Sequence, residues 1–255
     1  MKSPAINLHG FYGHAGDAYT STSLSEASKF LSGEVAAVND AARATLELIS
    51  HSTPSATLTQ PFILSVGSTP AAHAASMEAR KSLSQVLHGT LELHAGNYPM
   101  LDLQQQHTTL VDRTRISHRV QATVISYYPG RGTDGSDEAL IDAGAIAFSK
   151  DTGPSGSFGD VIGHPWQLSR ISQEHGILTR TDKSDSELNE SLKVGMLVDI
   201  VGQHACLIAA VCNLLAITFK FIINTFLEAY PWYYIVDGEQ DGTKVVDIWV
   251  PWKGW

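Results

Sequence analysis

Pro61-Phe62-Ile63-Leu64-Ser65-Val66-Gly67-Ser68-Thr69-Pro70 decides the fold of the first part of the chain. An apolar run of this length, bounded by Pro and Gly, reads as a buried strand that ends in a small-residue loop. Working upstream, Ser23 to Leu48 reads as a long helix. Ser23 is placed to cap it, with Glu26 three residues on completing a capping box, and Leu31, Val35, Val38, Ala42, Leu46 and Ile49 keep helical spacing. Ahead of that helix, Ala5 to Tyr12 reads as a short strand running into His14-Ala15-Gly16. Downstream, Leu91 to Tyr98 reads as another strand, with Gly96 at its C-terminal end. Strand, long helix, strand and short helix, each strand followed by Gly and polar residues, is the grammar of a (β/α) barrel, whose sites lie at the C-terminal strand ends.

The grammar changes near Arg119. Val120 to Tyr127 alternates, Pro129-Gly130-Arg131-Gly132 turns, and Ala143 to Ser149 is a short apolar run. Turn signals follow at Asp151-Thr152-Gly153-Pro154 and Gly156-Ser157-Phe158-Gly159, the punctuation of a mostly β domain of short strands. Tyr233 to Asp237 and Val245 to Val250 read as a closing hairpin, and Asp182 to Glu190 as a solvated surface loop. The expected organisation is therefore α/β plus β: a partial (β/α) barrel over residues 1–118 and a mostly β domain over 119–255.

Composition bounds the function. The 255 residues are 43% hydrophobic and 17% charged, values of a globular chain. A net charge of −9 without a basic patch argues against nucleic acid as a partner. Two cysteines, Cys206 and Cys212, give no disulfide framework and fit a reducing compartment, and residues 1–7 lack the apolar core of a secretory signal. The expected location is the cytoplasm.

Val201-Gly202-Gln203-His204-Ala205-Cys206 carries the chemistry of the second part. Were Met196 to Cys206 one strand, His204 and Cys206 would share a face, and an imidazole and a thiolate could hold one soft divalent metal, zinc above all. The competing reading is a half-buried His beside a small apolar Cys.

Seven stretches then occur in a familiar order: His14-Ala15-Gly16, Ser65-Val66-Gly67-Ser68-Thr69-Pro70, Glu92-Leu93-His94-Ala95-Gly96-Asn97-Tyr98-Pro99, Asp142-Ala143-Gly144-Ala145, Ser149-Lys150-Asp151-Thr152-Gly153, Ser172-Gln173-Glu174-His175-Gly176 and His204-Ala205-Cys206. The set resembles the eukaryotic, fungal-type D-serine dehydratase family, pyridoxal-phosphate enzymes with an alanine-racemase-like barrel and a C-terminal β domain. The resemblance implies a zinc-assisted lyase converting D-serine to pyruvate and ammonia. It implies that Ser68, Thr69, Gly96 and Asn97 cradle the cofactor phosphate and that Tyr12 and Tyr19 lie at the cofactor, Tyr12 having a core aromatic as its alternative. His204 and Cys206 become zinc ligands, and Glu174 and His175 orient neighbouring groups or accept protons, His175 having a structural role as its alternative. The small-molecule D-amino acid would be the partner, in a homodimer with shared sites. The related D-threonine aldolases carry His-x-Asp at this place, so His-x-Cys favours the dehydratase branch over an aldolase-like lyase.

Two departures accompany the resemblance. The family's Schiff-base lysine belongs to a first barrel strand upstream of anything here, and none of Lys2, Lys29, Lys81, Lys150, Lys183, Lys193, Lys220, Lys244 and Lys253 sits in a motif matching that strand, Lys150 lying in the β-domain motif as a structural residue. The expectation is an N-terminally incomplete gene product that is inactive by itself. The second departure is the apolar stretch from Ala205 to Leu227, long enough to span a bilayer with only Lys220 to interrupt it. It allows a rival class, a non-catalytic, membrane-associated protein anchored by residues 205–227. The family pattern instead makes Val211 to Ala229 surplus, and Val211-Cys212-Asn213 fits codons that begin like a splice donor. A retained intron forming an exposed apolar helix is the expectation.

Overall fold

The structure, a computed structural model, describes residues 7–52, 60–75, 86–182, 191–211, 215–219, 233–237 and 244–250. The chain divides into two compact units, residues 1–98 with 108–110, and residues 99–107 with 111–255.

In the first unit, strands β1 (Gly10–Gly13), β2 (Phe62–Val66) and β3 (Gly89–Leu93) form a parallel sheet in that order. Helix α1 (Leu24–Ser52) begins where the sequence places it: Ser23 Oγ accepts the Glu26 N–H at 3.2 Å, and Glu26 reaches back to the Thr22 N–H at 2.8 Å. Its inward stripe of Leu31, Val35, Val38 and Ala42 packs on Phe62, Leu64 and Val66 of β2, all buried. Alternation along β2 therefore sends Ser65 to the other face. A short helix, α2 (Thr69–Ala74), follows β2. The first strand starts later than the sequence suggests, at Gly10. A Cβ there would lie 2.0 Å from the Ile63 carbonyl oxygen, so β1 approaches β2 more closely than any other residue allows.

In the second unit, β4 (His118–Tyr128), β5 (Glu138–Ile141), β8 (Gly176–Arg180), β7 (Trp166–Ile171), β6 (Gly159–Val161) and β9 (Leu197–Gly202) pair antiparallel in that order, and β9 returns to β4. The six strands close on themselves, which removes their free edges. Val124, Ile141, Trp166, Leu168, Leu178 and Ile200 belong to the buried core of this unit. Three more strands, β10 (Leu215–Phe219), β11 (Tyr233–Asp237) and β12 (Val245–Trp249), extend the sheet from β4. The expected hairpin is present as the antiparallel β11–β12 pair.

Three expectations are corrected. Ala145–Phe148 is a helical turn, α4, because Gly144 lies against the β7–β8 turn, where a Cβ would stand 2.3 Å from the Ser172 carbonyl oxygen. The turn then caps the helix: the Ser172 carbonyl accepts the Ala145 N–H at 2.6 Å and Gln173 accepts that of Ile146 at 3.2 Å. The strand expected to reach Cys206 ends at Gly202, and helix α5 (Ala205–Val211) follows. The apolar stretch is not one helix, since Leu215–Phe219 pairs with β4 and β11 as a strand. Residues 212–214 and 220–229 of the expected insertion, and 183–190 of the surface loop, lie outside the described residues. No helix among the described residues is long and apolar enough to cross a membrane.

One buried group makes the second unit sensitive to acid. His118 opens β4 at 2% exposure, and burial pushes its imidazole down to about 4, with the Leu101 and Met100 backbone opposing this only in part. The unfolded chain takes up that proton near pH ~6.5, so stability is full above pH ~6.5 and falls progressively to about pH 4, by about 3 kcal/mol in total. Urea midpoints between pH 7 and 4 are expected to fall more steeply for the natural protein than for His118→Gln. Parallel curves would contradict this.

Candidate functional site

The C-terminal ends of β2 and β3 bring one group of predicted residues together. Ser68 precedes α2 without spending its side chain on a cap, and its buried Oγ has no hydrogen-bond partner among the described residues. Thr69 Oγ1 accepts the Asn97 N–H at 3.0 Å, tying the loop after β2 to the loop after β3. Ser68, Thr69 and Asn97 are buried, and a Cβ on Gly96 would meet nothing within 4 Å. Gly67 adopts φ +109° where a side chain would press on the His94 carbonyl at 2.9 Å, so only glycine lets the two loops close up. An unspent hydroxyl, a second hydroxyl and a glycine facing open space fit a phosphate-binding cradle.

Beside it the exposed face of the sheet is polar. Tyr12 is 64% exposed, which excludes the core-aromatic reading. Its ring centroid lies 6.5 Å from that of His14 and 5.8 Å from that of His94, and His14 lies 6.3 Å from Tyr19. Tyr12 and Tyr19 thus belong to one cluster of rings. Sequence reasoning assigned no role to Ser65, Glu92 and His94, although all three stand in the ordered motifs. Ser65 Oγ donates to Glu92 Oε1 at 2.6 Å and lies 2.7 Å from His94 Nε2, which is 2.9 Å from the same carboxylate. The Ser65 hydroxyl first, then His94, hold the Glu92 carboxyl below its ordinary value. This trio places an ionised acid and an imidazole on the face that carries Tyr12. Glu34 holds the neighbouring loop: its Oε1 accepts the Ala15 N–H at 2.6 Å and fixes His14-Ala15-Gly16 on α1.

In the second unit the His-x-Cys pair opens a helix. The His204 carbonyl accepts the Ile208 N–H at 3.0 Å, which makes His204 the N-cap of α5 and Cys206 its second helical residue. Side chains on a helix tilt toward its N-terminus, so these positions both lean to that end. Asp102 explains the helix. Fully buried, it accepts the Gln105 N–H at Oδ1 and the Ala205 N–H at Oδ2, both at 2.8 Å, and so starts α3 (Leu103–His107) and α5 together. The Gln203 carbonyl accepts the Gln104 N–H at 3.0 Å instead of continuing a ladder. Asp151 Oδ2 lies 2.7 Å from His204 Nδ1. Cys206 reaches the surface, yet partial burial, with the Asp102 carboxylate second, pushes its thiol up to about 11, so the sulfur holds its proton at neutral pH. The two donors are a soft set with a carboxylate behind the imidazole, and that chemistry fits a zinc ion. Among the described residues no three His, Cys, Asp or Glu side chains gather as a metal site. Glu174 and His175 are exposed on the β7–β8 turn, where the His175 carbonyl accepts the Ser172 N–H at 2.7 Å.

Residues 117–218 match the family model described as "Putative serine dehydratase domain". The chain is 41% identical over 253 residues to the D-serine dehydratase of Schizosaccharomyces pombe, an alignment covering 98% of this chain and 52% of that protein. Residues 117–218 thus match the family's domain model, and the chain is similar along nearly its whole length to D-serine dehydratases. It spans about half the length of the curated relatives it matches. Among solved structures, an ala racemase-like protein from Idiomarina loihiensis superposes with a TM-score of 0.62 at 26% identity, covering 96% of this chain and 56% of its own. A mutant of D-threo-3-hydroxyaspartate dehydratase in the metal-free form gives the same TM-score, identity and coverage. The fold is that of an alanine-racemase-like barrel segment with a β domain, as the sequence implies.

Proposed function

We propose that this chain carries the cofactor-phosphate cradle and the metal ligands of a D-serine dehydratase, and that the whole enzyme converts D-serine to pyruvate and ammonia, the water lost in the elimination being taken up again on hydrolysis of the imine. The observation that carries the reading is the His204–Asp151 pair with Cys206 two residues on, in a chain 41% identical to a D-serine dehydratase. Ser68, Thr69, Gly96 and Asn97 would hold the phosphate of pyridoxal phosphate, and Tyr12 and Tyr19 would border its ring. That cofactor, when bound, supplies the electron sink for removing the Cα proton. His204 and Cys206 would hold zinc, which would supply a Lewis acid to make hydroxide a tolerable leaving group. Ser65, Glu92 and His94 hold an exchangeable proton on the sheet face that bears Tyr12. None of the lysines matches the family's Schiff-base position, so the 255-residue chain is not expected to turn over D-serine alone.

Two measurements test this. Co2+ titrated into the chain at pH ~8 is expected to give a thiolate charge-transfer band that is lost in both His204→Gln and Cys206→Ser. Pyruvate formed from D-serine with added pyridoxal phosphate and zinc is expected to stay at the free-cofactor background. A cobalt band that survives either substitution would remove the metal assignment, and turnover above background would show that one of the present lysines serves.

A further inference from the structure

We infer that Asp151 is a positioning residue that fixes the tautomer of His204 and thereby selects which ring nitrogen meets the metal. The inference rests on the metal reading above and concerns a residue that the ordered motifs contain without a role. Asp151 Oδ2 stands 2.7 Å from His204 Nδ1, and a carboxylate can only accept, so the ring proton lies on Nδ1 and the lone pair on Nε2. Free imidazole side chains carry no such bias toward Nδ1–H. The backbone supports the placement: Ser149, two residues before Asp151, adopts φ +65° and ψ −167°, a conformation nearly reserved for glycine. Its hydroxyl accepts the Asp151 N–H at 3.4 Å, and its own N–H is held by the Ala145 carbonyl at 3.1 Å. On the other side, Gly153 packs on the Gln203 amide, where a Cβ would stand 2.7 Å from Nε2, and the Gln203 amide donates to the Ser157 carbonyl at 3.0 Å. The loop from Ser149 to Ser157 is thus clamped to the residue before His204, with Asp151 facing the ring. The side chains of Asp151 and His204 are 40% and 20% exposed, so the pair stands at the rim of the unit, and replacing the aspartate leaves the core intact.

The test reads the tautomer directly. Long-range 1H–15N spectra of the 255-residue chain at pH ~8 are recorded without metal, the His204 signals being assigned by their loss in His204→Gln. The natural protein is expected to show the Nδ1–H form as the dominant species. Asp151→Ala is expected to shift His204 to mostly Nε2–H and to weaken Co2+ binding about 10–100-fold, while Asp151→Asn, which keeps an acceptor, holds the tautomer. Unfolding midpoints of the variants check that they fold. A dominant Nε2–H form in the natural protein, or a tautomer unmoved by Asp151→Ala, overturns the inference, as does unchanged cobalt affinity in a chain that binds cobalt. Should the natural chain bind no cobalt, the metal reading fails by itself, and the spectra still decide whether Asp151 sets the ring.

Discussion

Phe148→Ala is expected to destabilise the second unit by about 3–5 kcal/mol and to lower its melting temperature on the order of 10 °C. Phe148 is fully buried in α4, and a Cβ on Gly202 would stand 3.4 Å from its ring, so the ring fills the space over the end of β9. Truncation removes the buried ring and leaves a cavity that the closed strands around it cannot collapse into. Gly202 lies two residues before His204, so the opening of α5 should loosen with it. Thermal unfolding and a cobalt titration of the folded variant at low temperature measure the two effects. A melting temperature within a few degrees of the natural value would show that Phe148 does not anchor this corner. Phe148→Leu, which keeps most of the volume, should lie between the two.

Asp102→Ala should cost about 2–5 kcal/mol, because two buried N–H groups, those of Gln105 and Ala205, lose their acceptor at once. Its consequence is more than stability. Without the carboxylate nothing starts α5 at Ala205, so His204 and Cys206 lose their fixed places and cobalt affinity falls together with the urea midpoint. Asp102→Asn keeps one acceptor oxygen, so about half of the loss is expected. Equal stability of Asp102→Ala and the natural chain would show that water replaces the carboxylate and that the helix starts on its own.

The sequence alone determined whatever depends on neighbours along the chain. The start of α1 was legible because Ser23 and Glu26 act within one turn. The strand at Phe62–Val66 and the loops at Ser68 and Gly96 were legible because apolar runs, Gly and Pro act locally. The ordered motifs were enough to point to the D-serine dehydratases that the chain is similar to. Tertiary structure decided the rest. Ala143 to Ser149 read only as a short apolar run and is partly a helix, since its cap comes from Ser172 and Gln173 on another hairpin. Tyr12 looked equally suited to core or site until β1 turned it away from α1. The strand expected through His204 stops because its partners lie far off: Asp102 binds the Ala205 N–H from 103 residues away, and Asp151 meets the His204 ring from 53. Periodicity carries no record of such acceptors, because a hydrogen bond across that separation is specified only once the six strands have closed and brought both carboxylates to one end of a single helix.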